Sequence, residues 1–372
     1  MSENPLVRLN RMGQSVWYDN IRRGLLESGE LQRMVRAGEL RGVTSNPTIF
    51  ENAIAHTEEY RSALRALSAE RLSPEQAYER LALEDIRAAA DVFLPVYEES
   101  RGTDGFISLE VSPSLALDPD ATGKEAGRLR RAVGRPNVMI KIPGTVACLE
   151  AIRKAIADGI NITLLFSVER YRRVMEAYAS GLEDRVARGQ PLDVVSSVAS
   201  FFVSRVDSLV DRELDQLAGA GNADPEALRA LRGKAAIANT RMAYREFLAF
   251  QGSQRWKDLS TRGARLQRPL WASTSTKNPS YPDVYYVEAL IAPDSVNTMP
   301  PATVAAYRDH GQPAIRIGED PEEARALPER LAQVGILMEE VTDQLEREGI
   351  QAFQQSFQSL LAVVENQLSE KR

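Results

Sequence analysis

The chain has 372 residues, 43% hydrophobic and 26% charged, enough for one large barrel domain or two ordinary ones around a sizeable core. A formal net charge of -6 argues against a general nucleic-acid surface, and no run of about 18 apolar residues is present to cross a membrane. A single cysteine, Cys148, excludes a disulfide framework and multi-thiolate metal sites, while two histidines, His56 and His310, leave little for a zinc site or a histidine-centred triad.

The first ten residues are polar and carry no signal-type apolar stretch, so a cytoplasmic protein acting on small molecules is expected. Short β-rich apolar runs then alternate with long amphipathic segments, the pattern of βα units around a parallel sheet. The runs are Ser15–Asp19, Gly42–Asn46, Phe106–Val111, Asn137–Ile142, Asn161–Phe166, Val194–Phe202, Pro269–Ser275 and Ser295–Met299. Between them lie helical stretches such as Pro74–Tyr97, whose Ala77, Leu81, Ile86 and Phe93 share roughly one face. Eight strands with intervening helices predict a closed α/β barrel, the (β/α)8 or TIM architecture, with residues 1–372 as one domain.

The interval 207–268 is too long for one helix and holds a glycine-rich break at Gly219 and Gly221, so it is read as helices plus a surface excursion. After the eighth run, the tail over about 320–372 repeats Ile350, Phe353, Phe357, Leu360, Leu361, Val364 and Leu368 at helical spacing. It is expected to pack back onto the barrel and is given no function of its own.

The polar groups of interest fall at or just after the C-terminal ends of the runs, the face that carries the active site in such barrels. Asp19 ends the first run, and Thr44 and Asn46 end the second. Glu110 and Lys141 interrupt the third and fourth; Asn161 and Thr163 belong to the fifth. Ser200 and Arg205 follow on the sixth, and Ser273, Ser275 and Lys277 on the seventh.

Lys141 is the sharpest of these signals. It is one of only seven lysines among 46 basic residues, so a position that keeps lysine needs an amine more than a generic cation. Its neighbours Val138, Met139, Ile140 and Ile142 are apolar. Burial there disfavours the ammonium, and a free amine is the nucleophile for a Schiff base with a ketone. The plainer reading is an ion-paired or snorkelling strand-end lysine.

Asp19, Glu110 and Thr163 make a coherent acid–base set around a cationic iminium. Taken singly, Asp19 reads equally as a helix N-cap, Glu110 as a salt-bridge partner of Lys141, and Asn46 before Pro47 as a turn residue. Arg205, with the hydroxyl-rich Ser273–Thr276 stretch and Lys277, suits a phosphate; a polar loop with solvated charges is the alternative. No Walker loop or strand-linked G-x-G-x-x-G is present, so a nucleotide cofactor has no support.

Laid out in order, SVWYDN, GVTSNPTIF, ISLEVSP, NVMIKIPGT, INITLLFS, SVASFFVSRVD and LWASTSTKNP resemble the transaldolase family across nearly the whole length. The IKIPGT wording and the extra length place the chain nearest the family's long, less typical branch. The resemblance implies a class I aldolase-type barrel working without metal or organic cofactor. It casts Lys141 as the Schiff-base lysine and Asp19 as the acid–base for carbon–carbon cleavage, with Glu110 and Thr163 holding the catalytic water. Asn46, Asn161 and Ser200 match contacts to the dihydroxyacetone unit, and Arg205 and Ser273 match phosphate ligands. Thr44, Phe202, Ser275 and Lys277 complete the expected substrate-binding set. Better-known bacterial members carry an arginine where this chain has Ser275, and Lys277 is read as its substitute.

The activity so implied is transfer of a dihydroxyacetone unit from sedoheptulose 7-phosphate or fructose 6-phosphate to glyceraldehyde 3-phosphate or erythrose 4-phosphate. Sugar phosphates are the expected partners, nucleic acid and membrane are not, and a homodimer is the assembly the resemblance allows. Two rivals stand beside this reading: a fructose 6-phosphate aldolase-like lyase on the same fold, and a non-catalytic sugar-phosphate-binding barrel. Phe202 bears on the first, since the resemblance places phenylalanine there in transaldolases and tyrosine in the related aldolases.

Overall fold

The computed structural model describes residues 3–160, 167–220 and 224–369. The strands are β1 (Gln14–Tyr18), β2 (Gly42–Val43), β3 (Phe106–Glu110), β4 (Val138–Lys141), β5 (Ser197–Phe202), β6 (Gln267–Ala272) and β7 (Ser295–Met299). Nearly every strand residue is buried, because helices cover the outer face while side chains fill the inner one. All pairings are parallel, in the order β4-β3-β2-β1-β7-β6-β5, which joins the first strand to the last. The two edges, β4 and β5, flank the expected fifth run, which lies outside the described residues. This is the (β/α)8 TIM-barrel architecture.

The run boundaries shift for identifiable reasons. The ladder of β2 stops at Val43 because Asn46 turns away to cap the helix Pro47–His56. The sixth run begins at Ser197, since the preceding segment is a loop whose Ser196 hydroxyl donates to Gly102 O at 2.7 Å. The seventh ends at Ala272, where Ser273 adopts φ 54° and carries the chain out of the sheet. Gly42 is needed in β2, because a Cβ there would meet the Trp17 indole at 2.6 Å.

Helix starts follow the sequence closely. Asn46, Asp118 and Ser167 each accept a bond from a first-turn backbone N–H, Ser73 forms a capping box, and proline opens the helices Pro47–His56, Pro74–Glu99 and Pro119–Val133. The interval read as helices plus a surface excursion is mostly helical among its described residues, with 218–220 and 224–227 exposed. It holds the helices Ser204–Ala220, Pro225–Arg229, Ala235–Gly252 and Gln254–Ser260. Ala235–Gly252 buries Ala236, Ala243 and Phe247 and packs against the helices Val168–Ala187 and Pro321–Gln333.

The last element is one helix, Met338–Ser369, of 32 residues, roughly 48 Å long at 1.5 Å per residue. It packs on the helices Pro47–His56 and Ser204–Ala220 and on the short turn Pro113–Leu115, which follow β2, β5 and β3. It therefore runs across the C-terminal mouth of the barrel.

Candidate active site

Lys141 and Glu110 are direct partners in the β3–β4 register, so the backbone itself sets their side chains next to each other at the strand ends. Lys141 is only 6% exposed. Its Nζ donates to Glu110 Oε1 and, at 3.1 Å, to the carbonyl of Ser45. The structure thus bears out the ion-pair reading of Lys141 and Glu110. A buried pair is also a store of two protonation states. Burial pushes the Glu110 carboxyl up, the Lys141 ammonium opposes that, and the Asp19 charge adds to it. Passing the shared proton to Glu110 leaves a neutral acid beside a free amine, with little change in local charge.

Asp19 lies one residue beyond β1 and is held from two sides. Its N–H donates to Met299 O at 2.8 Å, and its Oδ1 accepts from Thr44 Oγ1 at 2.6 Å. Thr44 Oγ1 is also 2.5 Å from Thr298 Oγ1 on β7. Burial pushes the Asp19 carboxyl up, while the Thr44 hydroxyl, Lys141 and Lys277 pull it back. Lys141 and Lys277 are therefore both within electrostatic reach of it. The N-cap reading of Asp19 fails: the next helix, Arg23–Glu27, starts after Arg22. For Asn46 a cap is what is seen. Its Oδ1 accepts from Ile49 N at 2.9 Å, and among the described residues its amide nitrogen donates to nothing, leaving two N–H donors for a ligand.

Ser200 is buried on β5, and Phe202 ends that strand and lines the same cleft as Lys141. Arg205 stands in the first turn of the helix that follows, its guanidinium 5.2 Å from the Phe202 ring centroid. Burial pushes its pKa down, and Glu348 of the C-terminal helix opposes this. Among the described residues Arg205 has no hydrogen-bond or ion-pair partner of its own. The backbone brings Ser273 to it: Ser204 N donates to Ser273 O at 3.0 Å, one residue from Arg205. Lys277 is more peripheral, exposed and donating to Ser275 Oγ at 2.9 Å. Asn161 and Thr163 lie outside the described residues.

The cleft beside Lys141 encloses roughly 580 Å³, part of it open to solvent. Glu110, Lys141 and Phe202 form one side, and the other is made by Glu346, Gly349, Ile350 and Phe353 of the C-terminal helix. Sequence reasoning missed that second side, along with Ser45 and Thr298. The available signal was the i, i+3, i+4, i+7 spacing of those four helix residues, which core packing explains equally well.

This arrangement suits Schiff-base chemistry: a buried amine with a carboxyl to take its proton, a second carboxyl nearby, and a cation able to hold an anionic group. Residues 16–364 match the family model described as transaldolase/fructose-6-phosphate aldolase. A transaldolase of Trichodesmium erythraeum is 46% identical over 377 residues, covering 100% of this chain and 98% of that protein. A transaldolase of Thermobifida fusca is 47% identical over 371 residues, with 98% and 99% covered. A protein named transaldolase 2 from a Nostoc species is 45% identical over 375 residues, with 99% and 98% covered.

Proposed function

The chain belongs to the transaldolase/fructose-6-phosphate aldolase family and has the function of a transaldolase, and we propose that it performs it through a Schiff base on Lys141. The observation that carries this is the buried Lys141–Glu110 pair at the mouth of the barrel. The substrates are sugar phosphates, and the reaction belongs to the pentose phosphate pathway.

In this mechanism Glu110 takes the lysine proton and the amine attacks the ketone carbon of fructose 6-phosphate or sedoheptulose 7-phosphate. Glu110 then returns a proton as hydroxide leaves as water, giving the iminium; Thr163 is assigned to the same water. Asp19 removes the proton of the C4 hydroxyl, the C3–C4 bond breaks, and its electron pair moves into the iminium to form an enamine. The aldose departs. The enamine carbon bonds the carbonyl carbon of erythrose 4-phosphate or glyceraldehyde 3-phosphate, Asp19 returns its proton to the new oxygen, and water releases the product ketose. Asn46, Thr44, Ser200 and Asn161 orient the three-carbon unit. Arg205 and Ser273 take the phosphate, with Ser275 and Lys277 at its edge.

The test is reductive trapping. Borohydride with fructose 6-phosphate should leave a stable adduct that peptide mass mapping places on Lys141, and Lys141→Arg should fold yet show no adduct. Labelling that persists in Lys141→Arg, or maps to Lys277, overturns the assignment.

The lyase reading shares every group except the one at Phe202, whose phenyl ring offers no proton donor beside the enamine; transfer is the reading it favours. No described helix is long and apolar enough to cross a membrane. A cytoplasmic homodimer is the proposed working state, which sedimentation velocity would check.

A further inference from the structure

We propose that the C-terminal helix Met338–Ser369 is a water-excluding cover over Lys141, and that its Ile350 and Phe353 set how often the covalent intermediate is transferred and how often it is lost to water. The inference rests on the Schiff-base reading above and extends it to residues that reading does not use.

Glu346, Gly349, Ile350 and Phe353 fall on one helical face, and that face lines the cleft opposite Lys141 and Phe202. Gly349 costs a helix interior about 1 kcal/mol relative to alanine, and it is buried at the point where the helix passes the site. A residue without a side chain there leaves volume for the substrate. Ile350 and Phe353 beside it are apolar, as are Val111, Pro113 and Ala116 on the opposing rim. A dihydroxyacetone unit carries hydroxyls and gains no hydrogen bond from such a wall. Its chemical use is to keep water from a reactive centre.

The helix is also fastened at this place. Arg170, at the start of Val168–Ala187, reaches Glu346 with Nε at 3.1 Å and Nη2 at 3.4 Å, and both side chains are largely buried. Gln354 donates to Pro113 O at 3.4 Å, and Thr48 bonds Ser356 at 2.9 Å. The fastenings lie on either side of Ile350 and Phe353, so the wall is held rather than left to fray.

The competing reaction is balanced without any further reactant. The enamine carbon takes a proton from water, the remaining hydroxide adds to the iminium carbon, and the C–N bond breaks with a proton returning to nitrogen. Dihydroxyacetone leaves and Lys141 regains its amine. In transfer, the same carbon bonds the acceptor aldehyde instead. Both branches end with water hydrolysing an iminium, so they divide at the enamine carbon, where only release takes a proton from water and where its access sets the ratio.

The experiment measures free dihydroxyacetone against transferred ketose from fructose 6-phosphate and erythrose 4-phosphate. It compares wild type, Phe353→Ala, Phe353→Leu, Glu346→Gln and the swapped pair Arg170→Glu/Glu346→Arg. Phe353→Ala should raise the ratio of release to transfer by roughly ten-fold, about 1.4 kcal/mol of differential barrier. Phe353→Leu, which keeps most of the volume, should raise it less and serves where the alanine variant does not fold. Glu346→Gln should raise the ratio, and the swapped pair should bring it back towards wild type. Ratios that stay at the wild-type value in Phe353→Leu and Glu346→Gln, whatever happens to kcat, overturn the proposal, since a purely structural role slows both branches together. A wild type that transfers but is never trapped on Lys141 would instead sink the underlying Schiff-base reading.

Discussion

Replacing Arg205 with alanine removes the one partly buried cation of the site that has no anion bound to it among the described residues. Its guanidinium lies against Phe202, and burial already weighs against its charge. A phosphate arriving there supplies the missing counter-charge. One charge-assisted contact is worth about 1.5 to 3 kcal/mol, and each 1.4 kcal/mol is a factor of about ten. Arg205→Ala should therefore lower kcat/KM for fructose 6-phosphate by one to two orders of magnitude. The lost contact with the Phe202 ring, about 0.5 to 1 kcal/mol, should cost only a small drop in Tm. Arg205→Lys keeps the charge but not the planar fork, and should fall between wild type and alanine. The assay is steady-state transfer at fixed erythrose 4-phosphate, with fructose 6-phosphate and unphosphorylated fructose compared as donors. Fructose turnover should be nearly unchanged. Equal losses for the two donors would show that Arg205 holds the fold of this corner and does not read the phosphate.

Asp207, buried beneath Tyr286 and Ala236 N, has its carboxyl pushed up to about 7, by burial first and by the Asp211 charge as well. Because the folded chain holds this proton longer than the unfolded chain, the contribution is complete below about pH 4 and is lost as pH rises to about 7, at most about 4 kcal/mol. Urea melts at pH 5 and pH 8 should show the difference, and Asp207→Asn should flatten it; a variant with the wild-type slope would exclude Asp207 as its source. Phe202→Tyr places a phenol beside the enamine and should release more dihydroxyacetone and transfer less. A wild type that already releases dihydroxyacetone as fast as it transfers would replace the transaldolase reading with the lyase one. Activity should survive exhaustive EDTA treatment, since in the proposed mechanism a lysine amine does the work a metal would; loss restored by a divalent ion would overturn that chemistry.

The barrel was legible because its strands are buried on both faces and read as apolar runs, so any polar residue inside one stands out. Glu110 and Lys141 were visible for that reason, and their adjacency in register follows once β3 and β4 pair. Thr44 and Asp19 were equally visible, but the bond joining them depends on where β2 ends against β1. The place of Asn46 was half legible, since Asn-Pro reads as a turn and says nothing of the helix cap its side chain forms or of which donors remain free. The C-terminal wall was illegible: Ile350 and Phe353 carry the same periodicity as Leu360 and Val364, which serve only the core. Which part of a long amphipathic face meets a cavity is decided by the path of the helix over the barrel. The packing of Ala235–Gly252 was hidden likewise, because its partner Pro321–Gln333 lies far along the chain.

The pairing of β1 with β7 bears on how this molecule comes into being. Gln14 donates to Ser295 Oγ at 2.9 Å across 281 positions of sequence. No early fragment can satisfy the open side of β1, and bringing those ends together incurs the loop-closure entropy of most of the chain. Refolding from denaturant should thus be slow and pass through species with an unpaired strand edge, prone to association at high concentration. Asp19 hangs from that seam through its bond to Met299 O. Recovery of turnover should lag behind recovery of helical signal, because the carboxylate proposed to act in carbon–carbon cleavage is placed only when the seam closes.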